Sequence, residues 1–516
     1  RQCLCSYRAS MEASEGLRRR KPLALRPIRT TSSRAPPAED GGDGGAASGV
    51  DSGAGEPLSP AARLFHEPNF NVFVIAEMGC KTRIDAQLVR EKLAVTLLRH
   101  PRFSSLQMVD SSTGDMNWVP TTVNLSDHVF VPDVDLTAAQ PPEKFIEDYI
   151  AGLSAAAADF SRPLWDLHLL NVPTARAEAV GVFRIHHSLG DGMSLMSLLL
   201  ACTRRISDPA ALPTIPAAPA RPRSGGLWSA ARLAWNTAAD VAAFLATSAF
   251  LRDTDTAVKG VPVPGKARWR FVHRTVGLDD VKLVKNAAKA TINDVLMGTT
   301  MAALSRYLNR KYGEKRRAEG AAVEEDNLPK NVRLRATLLV NTRPSPGIHA
   351  LAEMMEMGRE APWGNHVGYV LLPFPIGLRA DPLDYVRAAK AVIDRKKHSL
   401  ESVATCYIAD FMFKLLGVKT ASSLFHRAPA STTMSFSNMV GPVEEIGFYG
   451  HPMTHLAPGC FGQPNALMIN WQSYMGKMTF VLSVDENTIS DSYVLCDDIE
   501  ESLRLMKDAV LSSAGV

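Results

Sequence analysis

Several features of common protein classes are missing from this sequence of 516 residues. It has no run of about 18 or more purely apolar residues, which a confident membrane span would show. It has no Gly-x-Ser-x-Gly segment, so nothing indicates the nucleophile turn of an α/β hydrolase. The net charge of +4 is slight, and the basic residues of the body are interspersed with acids. A nucleic-acid partner therefore has little support.

Cysteine is scarce, and the cysteines do not show the close, regular spacing of a disulfide or metal-binding motif. The seven cysteines are an odd number, and beyond Cys3 and Cys5 they stand far apart in the chain. Neither a disulfide framework nor a cysteine-based metal site fits this distribution. We therefore expect free thiols in a reducing compartment.

The hydrophobic content of 46% is enough for a large core and two domains. Residues 1–56 are first basic and then rich in Gly, Ala, Ser and Asp, and we expect a disordered tail there, with a transit peptide as the alternative. We divide the rest into an N-terminal subdomain (57–208), a Pro/Ala-rich linker with a helix (209–268) and a C-terminal subdomain (269–516).

Hydrophobic periodicity predicts strands that alternate with helices, which favours a mixed α/β fold. The predicted strands are 70–77, 164–172, 179–187, 334–341, 367–373 and 432–437, with a hairpin of 466–474 and 477–485 around Met475-Gly476. The predicted helices are 85–99, 142–158, 280–289 and 293–312. The charged segment 311–330 is predicted to be a loop.

Segment 227–251 has the length of a membrane-spanning helix but carries a polar stripe. Arg232, Asn236 and Asp240 are spaced by four and share one face. Its large apolar side chains include Trp228, Trp235, Phe244 and Phe250. Three interpretations stay open: an amphipathic helix lying on a membrane, a helix packed in the core, and a membrane span.

The most informative segment is His186-His187-Ser188-Leu189-Gly190-Asp191-Gly192, which follows an alternating apolar run. The period of two before it indicates a strand, and Met193, Met196 and Leu199 after it indicate a helix. Alternation sends the rings of His186 and His187 to opposite faces, which argues against a shared metal ion. Ser188 is adjacent to His187 in sequence, but neighbours on a strand do not share a face, so no covalent nucleophile is poised beside the base. General-base catalysis is therefore the simplest chemistry for one imidazole, and we predict no metal site.

The same segment resembles the HHxxxDG motif of the CoA-dependent acyltransferase superfamily. Further segments resemble the wax ester synthase/diacylglycerol acyltransferase branch, in the same order along residues 58–510. They are Pro163-Leu164-Trp165, Asn293-Asp294, Asn341-Thr342-Arg343-Pro344, Gly364-Asn365 and Ser437-Asn438-Met439-Val440-Gly441-Pro442. The opening Leu58 to Phe65 and the hairpin Ser473 to Met478 resemble plant members.

This resemblance implies a fold of two chloramphenicol-acetyltransferase-like α/β subdomains with a central tunnel. It implies His187 as general base, His186 as a supporting residue, and Asp191 with Gly192 as parts of the motif loop. Asp191 would orient that loop through Arg343, although the residues alone also allow Asp191 to cap the following helix.

For four more residues the resemblance gives a role and the residues allow a plainer one. Asn293 is a candidate oxyanion donor or a helix cap. Asn438 and Gly441 are candidate substrate-binding residues or a turn. Trp165 lines the tunnel or packs in the core.

The resulting hypothesis is an O-acyltransferase that makes wax esters from long-chain alcohols, triacylglycerol from diacylglycerol, or both. Its partners would be long-chain acyl-CoA, the alcohol or diacylglycerol, and a membrane surface, without any further cofactor. The alternatives are a soluble acyltransferase for small alcohols or amines and a lipid-binding protein without activity. The resemblance predicts the endoplasmic reticulum membrane, with the plasma membrane as the alternative.

Overall fold

The structure, a computed structural model, describes residues 56–111, 114–134, 140–216, 226–342, 347–358, 363–365 and 367–513. Apart from Glu56, the predicted disordered tail lies outside these residues.

The described chain contains both strands and helices. The strands are β1 Glu56–Pro57, β2 Phe73–Cys80, β3 Ser105–Val109, β4 Met116–Pro120, β5 Val129–Phe130, β6 Trp165–Leu170, β7 Ala179–His186, β8 Thr203–Arg205, β9 Trp269–Gly277, β10 Arg335–Asn341, β11 Val367–Pro373, β12 Met434–Val440, β13 Ile446–Phe448, β14 His451–Phe461, β15 Leu467–Tyr474 and β16 Lys477–Asp485. The helices are α1 Pro60–Leu64, α2 Ala86–Val95, α3 Pro142–Ala155, α4 Gly192–Ala201, α5 Leu227–Ala249, α6 Leu278–Ala287, α7 Ile292–Ala318, α8 Ile348–Met357, α9 Leu383–Lys396, α10 Glu401–Ser431 and α11 Ser492–Ser513.

Two large mixed sheets organise these elements. One has seven strands in the order β5-β6-β7-β2-β14-β13-β8, and the other has six in the order β11-β10-β12-β15-β16-β9. Strands β13 and β14 come late in the chain, yet β14 pairs antiparallel with β2 over its length in the seven-stranded sheet. The second half of the chain therefore completes the sheet of the first half.

Local sequence explains the elements that carry the site. Every residue of β7 is buried, and the strand lies between β6 and β2, which matches its continuous apolar character. Helix α4 begins because the Asp191 side chain accepts a hydrogen bond from the Ser194 amide at 2.9 Å, as an N-cap residue does. A rigid central strand thus leads through a short turn into a capped helix.

The predicted hairpin is present as β15 and β16. Met475 (φ 48°) and Gly476 (φ 71°) both have positive φ in its two-residue turn. That pair of conformations matches the right-handed twist of the flanking strands.

The prediction of a loop from residue 311 is wrong at its start, because α7 continues to Ala318 instead of ending at Tyr312. Lys, Arg and Glu are good helix formers, and Lys315, Arg316 and Arg317 lie in the last turn, where positive charge interacts favourably with the helix dipole.

Residues 227–249 of the segment form α5, and the predicted polar stripe is divided: Asn236 and Asp240 face the protein, whereas Arg232 is exposed. Asn236 and Asp240 are buried, whereas Trp228 and Trp235 are exposed. Among the described residues, no helix has the length and apolar character needed to cross a membrane.

Candidate active site

A largely apolar cavity lies between the two sheets. Its walls come from β2, β7 and β14 on one side, from β10, β11, β12 and β15 on the other, and from α4 and α10. The cavity volume, measured as the space that the centre of a water-sized sphere can occupy, is about 210 Å³. One water needs only ~10–15 Å³ by that measure, so the cavity has room for a chain of many methylene-sized groups.

His187 is the histidine that lines this cavity. Phe183, Ile185 and His187 all border it, so the alternation of β7 continues into the turn of His187–Leu189. The Nδ1 atom is enclosed by protein and has no hydrogen-bond partner among the described residues. Burial lowers the pKa of the His187 imidazole, although its own carbonyl and Asp191 act in the opposite direction. Burial therefore favours the neutral form of the ring, which is the form that accepts a proton.

His186 points away from the cavity and is held as a structural residue. Its Nε2 lies 3.0 Å from the Phe65 carbonyl and 3.1 Å from Asn71 Oδ1, and its Nδ1 lies 2.6 Å from Ser188 Oγ. Two acceptors at Nε2 fix the proton there, because only a donor satisfies them. Burial also holds the pKa of His186 well below its usual range. Both nitrogens are occupied, so this ring is not available as a base.

The motif glycines differ in what they face. A Cβ on Gly190 would come within 2.8 Å of the Trp363 ring, so this glycine permits close packing of protein on protein. Gly192 borders the cavity, and a Cβ there would meet no protein atom within 4 Å. The open space in front of Gly192 is suited to close approach of a substrate. Arg343, the predicted partner of Asp191, lies outside the described residues.

Two residues at this turn received no role from sequence reasoning. The Phe65 ring stacks on His187 with centroids 4.4 Å apart. It is placed there by α1, which begins at Pro60 after the Ser59 N-cap and ends just before Phe65. Asn365 donates from Nδ2 to the carbonyls of His187 at 2.9 Å and of Ser188 at 3.2 Å. Both residues belong to segments that carried the family resemblance, which was the available signal.

Asn438 and Asn293 form a pair at the cavity wall. Asn438 lines the cavity, and its Nδ2 donates to Asn293 Oδ1 at 2.5 Å. Asn293 does not border the cavity, so its predicted oxyanion role stays a prediction. It does not cap α7 either: Thr291 is the N-cap, and Asp294 completes a capping box with it. Asn293 therefore braces the cavity-lining amide.

Trp165 and Gly441 lie away from this cavity. The Trp165 indole donates to the Phe103 carbonyl at 2.9 Å and stacks on His128 within the core. Gly441 follows the last residue of β12, and a Cβ there would lie 2.2 Å from the Ser473 carbonyl oxygen. Their positions make both residues supports of the fold around the site, without contact to the cavity.

One group among the described residues has the donors of a metal site: Glu77, His273 and His455, whose ligand atoms lie within 4.8 Å of one another. Hydrogen bonds account for this geometry, since Nε2 of His273 lies 3.1 Å and Nε2 of His455 3.2 Å from Glu77 Oε1. The group joins β9 of the six-stranded sheet to β2 and β14 of the seven-stranded sheet. Glu77 alternates with Ala76, which borders the cavity, so the cluster lies on the opposite face.

Known proteins resemble the whole described body of the chain. Residues 58–296 match the wax ester synthase/diacylglycerol acyltransferase catalytic domain, and residues 363–507 match the WS/DGAT C-terminal domain. The chain belongs to the wax ester synthase/diacylglycerol acyltransferase family. Wax ester synthase/diacylglycerol acyltransferase 5 of Arabidopsis thaliana is 48% identical over 88% of this chain and 94% of its own length. Wax ester synthase/diacylglycerol acyltransferase 6 of the same plant is 47% identical over 88% of this chain and 93% of its own length.

Solved structures confirm the fold of this family member. The wax ester synthase/diacylglycerol acyltransferase from Marinobacter aquaeolei VT8 matches with a TM-score of 0.57 at 16% identity, covering 88% of this chain and 99% of its own. The first condensation domain of the calcium-dependent antibiotic synthetase matches with a TM-score of 0.53 at 13% identity, covering 89% and 97%. The predicted chloramphenicol-acetyltransferase-like α/β architecture is confirmed, and the protein is an acyltransferase.

Proposed function

We propose that this protein transfers a long-chain acyl group from acyl-CoA to the hydroxyl of a fatty alcohol or of diacylglycerol, with His187 as the general base. The observation that carries the proposal is the position of the His187 imidazole at the wall of a large apolar cavity. A cavity of this size and character favours an alkyl chain over a small polar acceptor.

The proposed acyl transfer needs one general base, His187, at the cavity wall. His187 takes the hydroxyl proton as the alcohol oxygen attacks the thioester carbonyl, which forms the new C–O bond. The tetrahedral intermediate collapses with cleavage of the C–S bond, and the proton returns to the leaving CoA sulfur. Acyl-CoA is consumed in this reaction and is therefore a substrate. The acyl transfer involves no change of oxidation state, so the scheme calls for no redox cofactor. Asn438 supplies the cavity with an amide for orienting the reactants.

The direct test is ester formation by His187→Ala. Loss of a positioned general base lowers turnover by roughly 10²- to 10⁴-fold. His349→Ala is the matched control, because His349 is exposed on α8 and does not border the cavity. Substantial residual turnover by folded His187→Ala, measured with radiolabelled acyl-CoA, would exclude His187 as the base.

The acceptor and the location are further parts of the proposal. Purified enzyme given hexadecanol and diacylglycerol together, with a small phenolic alcohol as a third acceptor, reports the preferred product directly. Formation of only the phenolic ester would contradict a lipid acceptor.

We propose the endoplasmic reticulum membrane as the site of action, with the plasma membrane as the alternative. Imaging of a fluorescent fusion distinguishes the two.

A further inference from the structure

We propose that the exposed faces of α5 and α10 form a docking surface for a lipid bilayer that carries anionic phospholipids. The inference rests on the proposed function, because a water-insoluble acceptor has to reach the cavity from a membrane. We define the docking surface by its exposed apolar side chains, which are Leu227, Trp228, Trp235, Leu245, Phe250, Tyr407, Phe411, Leu415 and Leu416.

Helix α5 shows its apolar face to the outside. Trp228 is 89% exposed and Trp235 is 76% exposed. An ordinary surface helix turns its large apolar side chains toward the core and its polar ones toward water. Tryptophan is characteristic of the membrane–water interface, where its ring is partly apolar and its N–H remains hydrated. The outer face of α5 therefore has the composition of an interfacial helix.

Buried polar contacts fix this orientation. Asp240 is bonded to Arg395 at 2.7 Å and to Lys396 at 3.0 Å. Asn236 Nδ2 donates to the His398 carbonyl at 3.0 Å. Rotating α5 to hide the tryptophans would break these charged contacts and expose Phe244, which packs on Tyr369. The outward position of the apolar face is therefore imposed by the fold.

Helix α10 has one face toward the cavity and another toward the exterior. Ala409 and Phe413 border the cavity, whereas Phe411 is 64% exposed and Leu415 is 65% exposed. This helix is thus the wall between the cavity and the docking surface. An alkyl chain that leaves a bilayer at α10 would have a single helix between itself and the cavity that contains His187.

The exposed charges on α5 and α10 favour a bilayer with anionic headgroups. Their exposed charged side chains, over the full length of α5 and α10, are all basic: Arg232, Lys414, Lys419 and Arg427. The acids are Asp240 and Glu401, which are buried, and Asp410, which is half-buried. Basic residues beside an apolar face are attracted to anionic headgroups, each by about 1 kcal/mol near the surface. Association of two copies through this face would instead bring like charges together, so we favour the bilayer.

Flotation with vesicles tests the docking surface without any turnover. Phosphatidylcholine vesicles that contain phosphatidylserine should bind the full chain more tightly than vesicles of phosphatidylcholine alone. The pairs Trp228→Glu with Trp235→Glu, and Phe411→Glu with Leu415→Glu, should each weaken binding by about tenfold or more, since charge replaces inserted apolar surface. Lys414→Gln with Lys419→Gln should weaken binding only to phosphatidylserine vesicles, by about fivefold per lysine.

The controls separate docking from folding and from catalysis. Val95→Glu places the same charge at a 51% exposed apolar site on α2 and should bind as the unaltered protein does. The glutamate pairs should keep their turnover of a water-soluble short-chain acyl-CoA and alcohol. His187→Ala should still bind vesicles, so a failure of the proposed chemistry would leave this test intact. Unaltered vesicle binding by both glutamate pairs, or dimers in solution without vesicle binding, would overturn the proposal.

Discussion

At the scale of single residues, burial of His187 predicts the pH dependence of the reaction. Burial lowers the pKa of the imidazole below its usual range. The neutral, basic form then persists to lower pH, and kcat/KM falls only below the pH at which free histidine is half protonated. We expect a pH profile that is flat around pH 7 and has an acid limb below about pH 6.5. An acid limb centred above that pH would contradict a buried base.

Asn365 provides a way to move that limb. Its side chain acts to raise the pKa of His187 and holds the turn through the carbonyls of His187 and Ser188. Asn365→Ala should therefore shift the acid limb to lower pH and reduce kcat. Asn365→Asp adds a negative charge beside the imidazole and should shift the limb to higher pH. A purely structural role would lower kcat in both variants without opposite shifts in the pH profile.

The residues of this turn also show how far sequence reasoning reaches. Alternation along a strand separates His186 from His187 because the period of two is a local property of the backbone. The contact of Asn365 with the His187 carbonyl joins positions 178 residues apart in the chain. Stacking of Phe65 on His187 also joins positions that are far apart in the chain. Local periodicity contains no information on such contacts, so these two neighbours required the fold.

At the scale of elements, Gly368 in β11 determines how closely α10 packs. A Cβ at this position would lie 1.7 Å from the Ser402 carbonyl oxygen and 2.6 Å from its carbon. Because those atoms are backbone, relief requires α10 to move away from β11. Gly368→Ala should destabilise the protein by about 1–3 kcal/mol or more in chemical denaturation.

Gly152→Ala is the matched control for that substitution. Gly152 lies within α3, and a Cβ there meets nothing within 4 Å. Alanine should be neutral or stabilising by up to about 1 kcal/mol, since glycine is a poor helix former. Equal stability of the Gly368 and Gly152 variants would show that α10 has room to move.

The positions of strands and helices could be predicted where the hydrophobic pattern is local and where only one face of the element is buried. Strand β11 and strand β16 have their predicted bounds, and the hairpin turn has its signal in Met475-Gly476. Strand β14 was not predicted, because eight of its eleven residues are buried and its central residues show no alternation. For α5 the predicted polar stripe is confirmed at Asn236 and Asp240 but not at exposed Arg232, because the buried direction depends on Arg395 and Lys396 of another helix.

At the scale of the whole molecule, buried histidines predict loss of stability in mild acid. Burial lowers the pKa of eight described histidines: His66, His100, His128, His186, His187, His426, His451 and His455. Below about pH 6.5 the unfolded chain then binds more protons than the folded chain, so stability falls as the pH falls. Burial raises the pKa of Glu147, Glu401 and Asp498, which acts in the opposite direction but through fewer groups.

The melting temperature should therefore decrease between pH 7 and pH 5, ahead of the titration of ordinary carboxylates. His100 is a suitable residue for isolating one contribution, because burial lowers its pKa to about 3 while Nδ1 accepts from the Arg102 amide at 3.2 Å. Asn in its place keeps an acceptor and removes the proton site. His100→Asn should lose less stability per pH unit than the unaltered protein, by up to about 1.4 kcal/mol. Parallel melting curves for the two proteins across this range would show that protonation of buried histidines does not drive acid unfolding.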